Sequence, residues 1–96
     1  MSYIQFRRNI MPSFFQQTLE SYFSYQVRQI QEQFNEHSKL MPSLEREVFQ
    51  ADLNDISERI KELSTAPTID EYTKIVKDVY FHISLLGMWI LGEVNK

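Results

Sequence analysis

Histidine and cysteine, the most versatile catalytic and metal-binding side chains, are scarce in this chain. There are two histidines, His37 and His82, and no cysteine. The lack of cysteine excludes a thiol nucleophile, a disulfide framework and cysteine-ligated zinc. His37 follows Glu32 and Glu36, but one histidine with two acids falls short of the four ligands a structural zinc site takes. Phe34 and Val79 stand three residues before the histidines, so the Glu-x-x-His pattern of di-iron bundles is missing. Ser38 and Ser84 lie within two residues of a histidine, a spacing at which helical neighbours do not face each other. The only glycines are Gly87 and Gly92, which leaves no phosphate-cradling loop. The expectation is a non-enzymatic chain with no catalytic residue, no cofactor and no metal. His37 reads as a cation near a helix C-terminus, and His82 as a partly buried residue of an apolar run.

Charge is the next signal. The net charge is −3 and it is unevenly spread. Glu32 to Glu71 holds ten acids and four bases, while the remainder holds six bases and three acids. Phosphate-backbone binding draws on clustered Lys and Arg, so a nucleic-acid partner is not expected. A protein partner with a basic surface is. Val79–Leu91, the most apolar run, has 13 residues, which is short for a bilayer span, so no membrane role is expected either. No secretion signal follows the Arg7-Arg8 pair, and a cytoplasmic location fits the lack of cysteine.

The elements that must carry these residues are helical. Two glycines and three prolines are too few for the turns of an all-β fold. An arm over residues 1–10 contains Tyr3, Ile4, Phe6 and Ile10. A first helix over about 12–37 follows from Phe15, Leu19, Tyr22, Phe23, Val27, Ile30 and Phe34, mostly three or four residues apart. A second helix over about 42–63 carries Phe49, Leu53, Ile56, Ile60 and Leu63 in 4-3-4-3 spacing. Thr68 and Glu71 match a capping box and open a third helix over about 69–94. Its main stripe is Tyr72, Ile75, Val76, Val79, Ile83, Leu86, Ile90 and Val94. The fold class is all-α: one domain over 1–96, a small antiparallel three-helix bundle, with the arm as a short fourth element.

Two surfaces stand out. Glu45, Asp52, Asp55, Glu58 and Glu62 form an acidic flank on the second helix, expected to face a basic partner. Phe81, Leu85 and Met88, with Trp89 beside them, form a second apolar face on the third helix. A helix apolar on all sides is normally covered on all sides. The cover is either the N-terminal arm, another protein or a second copy of the chain. In size, acidity and lack of catalytic groups the chain resembles the immunity proteins that neutralise nuclease-type toxins. The resemblance is to that kind of molecule, with no motif matched residue by residue. It implies an acidic intracellular inhibitor. A homodimeric structural or chaperone-like adaptor using the apolar face is the alternative.

Overall fold

The computed structural model describes residues 13–95. Among them are three α-helices and no strand: α1 (Ser13–His37), α2 (Ser43–Lys61) and α3 (Ile69–Val94). The chain is an all-α three-helix bundle, as the spacing predicts. The arm over 1–10 lies outside the described residues.

Local sequence explains the helix ends. After α1 a single 3-10 turn, Ser38–Leu40, tightens the chain. Met41 is then extended (φ −92°, ψ 142°), the geometry favoured before proline. Pro42 precedes the first turn of α2. α2 ends two residues earlier than the apolar spacing suggests. Glu62–Thr65 forms another 3-10 turn, and Leu63 is fully buried in it. Thr68 caps α3 by accepting a hydrogen bond from the Glu71 amide at 3.2 Å.

Neighbouring helices run antiparallel. Gln31 and Gln50 exchange reciprocal amide hydrogen bonds of 2.9 and 3.0 Å between α1 and α2. Between α2 and α3, Phe49 meets Trp89 while Arg59 meets Asp78, so one helix descends as the other rises. The core collects one stripe from each helix. Phe23, Val27, Ile30 and Phe34 come from α1, Phe49, Leu53, Ile56 and Ile60 from α2, and Tyr72 to Ile90 from α3. Met41 and Ala66 close it from the connecting turns. At one end Phe34 stacks on Phe49 (4.6 Å between ring centres, 10° between planes) and Trp89 meets Phe49 edge-on (5.0 Å, 71°).

Two expectations about α3 need correction. Val94 does not close the buried stripe; it is exposed, and Glu93 is buried in its place. The buried run therefore ends with a step of three, Ile90 to Glu93, rather than four. His82, expected to be partly buried, is exposed, and its Nδ1–H donates to the Asp78 carbonyl at 2.8 Å. The helix is also longer than its most apolar run. α3 has 26 residues, and by length and composition it is long and apolar enough to cross a membrane, with a window of mean hydropathy 1.3. The bundle covers only 28% of that window.

Candidate functional site

The two surfaces expected from sequence meet along the α2–α3 side of the bundle. A shallow groove there is lined by Asp52, Asp55, Ile56 and Arg59 of α2 and by Asp78, Val79 and His82 of α3. Its volume, about 240 Å3, is below the usual range for small-molecule sites and suits a side-chain head group. Arg59 is the one cation among the lining residues. It donates to Asp78 at 3.0 Å and also pairs with Glu62. Those two carboxylates hold its guanidinium pKa above the ordinary arginine value. Asp52 and Asp55 have no ion-pair partner among the described residues. With Arg59 shared between Asp78 and Glu62, the groove keeps an excess of negative charge.

The five acids of the expected flank do not act as one band. Asp52 and Asp55 line the groove. Glu62 sits at its edge, tied to Arg59. Glu58 turns away and pairs with Lys61 at 3.2 Å. Glu45 is half-buried two helical turns from Asp52 and lies outside the groove. Asp78 is the residue that sequence reasoning left out of the acidic set. It belongs to a different helix, and only the α2–α3 packing brings it beside Asp52 and Asp55.

The apolar residues of α3 also divide. Phe81 (60% exposed), Leu85 (47%) and Met88 (70%) form an uncovered ridge. Leu91 and Tyr80, exposed at 57% and 65%, flank it. Trp89 does not belong to the ridge. It is partly buried, packs on the core and spends one edge on Phe49. The ridge and the groove adjoin, because Phe81 packs edge-on against the His82 ring at 5.9 Å. Among the described residues no group of three or more His, Asp or Glu side chains is placed to hold a metal ion. No protein-family model, no characterised protein and no solved structure shows significant similarity to the chain.

Proposed function

We propose that this chain is a non-enzymatic protein-binding protein, an acidic inhibitor that acts in the cytoplasm on a protein with a basic surface such as a nuclease-type toxin. The observation that carries the reading is the juxtaposition of an undercompensated acidic groove and an exposed aromatic residue. Asp52 and Asp55 lie in the groove without an ion-pair partner among the described residues, and Phe81 adjoins it through His82. An approaching Lys or Arg would find carboxylates on both walls, and the ring beside them would anchor its apolar surroundings. Opposite charge of this kind accelerates encounter, while buried aromatic anchors slow release.

The test is capture of a partner on immobilised chain, followed by association kinetics on the purified pair. Raising salt from about 20 to about 500 mM should lower the association rate roughly tenfold or more, with little change in dissociation. Asp52→Lys with Asp55→Lys should lower the rate to the high-salt value. A partner that binds equally fast at both salt concentrations, and equally well to the double variant, would refute the reading.

A further inference from the structure

We infer that the ridge of α3 is a homodimer interface, in which α3 packs antiparallel on α3 of a second copy with Phe81 seated over Gly92. Phe81, Leu85, Met88 and Gly92 follow one another at steps of four, three and four, the spacing of a two-helix seam. The seam is self-complementary only in the antiparallel sense. Turning a second copy about a two-fold axis midway between Leu85 and Met88 sets Phe81 opposite Gly92 and Leu85 opposite Met88. Gly92 then acts as the hole for the largest knob. Among the described residues, no atom beyond the local helix backbone comes within 4 Å of the place where a Gly92 side chain would stand, so the position is open. A parallel pair would set Phe81 on Phe81 and leave a gap at Gly92.

Area sets the class of interface. With aromatic side chains covering about 150–250 Å2 each and aliphatic ones somewhat less, the exposed parts of Tyr80, Phe81, Leu85, Met88 and Leu91 leave on the order of 500 Å2 per copy. Two copies then bury about 1,000 Å2, the lower edge of a specific interface. A contact of this size places the dimer among weak associations, while the quality of its packing rather than its area fixes the dissociation constant. The interface leaves Asp52 and Asp55 on α2 free but takes up Phe81, so dimerisation and the partner binding proposed above compete for that ring.

Sedimentation of the full chain from about 5 to 500 µM should show a monomer–dimer equilibrium in this range. Gly92→Lys fills the hole with a long side chain opposite Phe81. It replaces glycine with a better helix former near a C-terminus that favours cations, so its melting temperature at low concentration should not fall. Its dimer constant should weaken at least tenfold. Orientation is read by oxidising Leu85→Cys and Met88→Cys chains in a background that has no cysteine of its own. An equal mixture should give clearly more than the half share of mixed disulfide that random pairing would produce. A wild type that stays monomeric at 500 µM overturns the inference, whether the N-terminal arm or a different partner covers the ridge. So does a Gly92→Lys chain that dimerises as before, and so does an excess of symmetric disulfides.

Discussion

Phe49 is the residue whose removal should cost this bundle most. Its side chain is fully buried, one face is stacked on Phe34, and the edge of Trp89 approaches it. Cutting a buried phenylalanine to alanine costs about 3–5 kcal/mol, the upper part of the range applying where the surroundings cannot collapse into the space. Here the neighbours are two rigid rings held by separate helices. Each aromatic pair also contributes about 0.5–1.5 kcal/mol beyond area, and both are lost. Phe49→Ala should therefore lose about 4–5 kcal/mol. A domain of this size has about 5–14 kcal/mol in total, so the variant sits close to its unfolding threshold. The melting temperature should fall by roughly 16–40 °C, at about 4–8 °C per kcal/mol. Phe49→Leu keeps most of the volume and loses only the ring pairs, which puts it at about 1–2 kcal/mol. Urea titrations followed by circular dichroism and by Trp89 emission measure both variants. Equal losses for the two substitutions, or a loss below about 2 kcal/mol for Phe49→Ala, would show that the ring cluster does not hold the helices together.

Other substitutions probe the remaining contacts. In the reciprocal amide pair, Gln31→Ala and Gln50→Ala should each cost about 1 kcal/mol, and a double-mutant cycle in urea should return a coupling of about 0.5–1.5 kcal/mol between them. Thr68→Ala removes the cap at the start of α3 and should lower stability by about 1 kcal/mol in the same titration, with Thr68→Ser restoring most of it. Burial pushes the Tyr72 phenol above its ordinary value of 10.0. The unfolded chain thus loses this proton first as pH rises. The folded state is fully favoured below about pH 10 and loses stability as pH climbs from there toward the folded pKa. Chemical denaturation between pH 8 and 11.5 should show that decline, and it should be shallower in Tyr72→Phe; an unchanged slope would assign the alkaline loss to other groups.

Periodicity makes the helices legible because each contributes a single buried stripe, and a 3.6-residue repeat places its members without knowledge of the neighbours. Phe23 to Phe34, Phe49 to Ile60 and Tyr72 to Ile90 follow from spacing alone. The misreadings occur where residue type and geometry disagree. Val94 looks like the next apolar member of its stripe, but a helix that has just stepped four residues to Ile90 turns Glu93 inward. Leu63 continues the α2 spacing, yet the chain reaches the core there through a 3-10 turn. The acidic set was legible only in part. Asp52 and Asp55 are neighbours on one helix, which a helical wheel shows. Asp78 joins them across a packed interface, which no pattern within one helix reveals. Adjacency in sequence groups Trp89 with the ridge, and its packing on Phe49 is likewise a tertiary fact.

The uncovered ridge sharpens what α3 is for. A three-helix core needs one stripe from each helix, and α3 supplies it through Tyr72, Ile75, Val79, Ile83, Leu86 and Ile90. Phe81, Leu85 and Met88 add nothing to that core, since each leaves about half or more of its surface exposed. The first half of the same face carries Thr73, Lys74 and Lys77, so the helix tolerates polar residues there. Local helix formation does not require the apolar ones either, because glutamine or lysine would serve about as well as leucine or methionine and better than phenylalanine. Exposed apolar side chains in one continuous run favour aggregation unless something covers them. The three-helix core therefore does not account for the ridge, which is the reason we propose that it serves association of the chain. It adjoins the acidic groove through the contact between the Phe81 and His82 rings, so any partner of one surface comes close to the other.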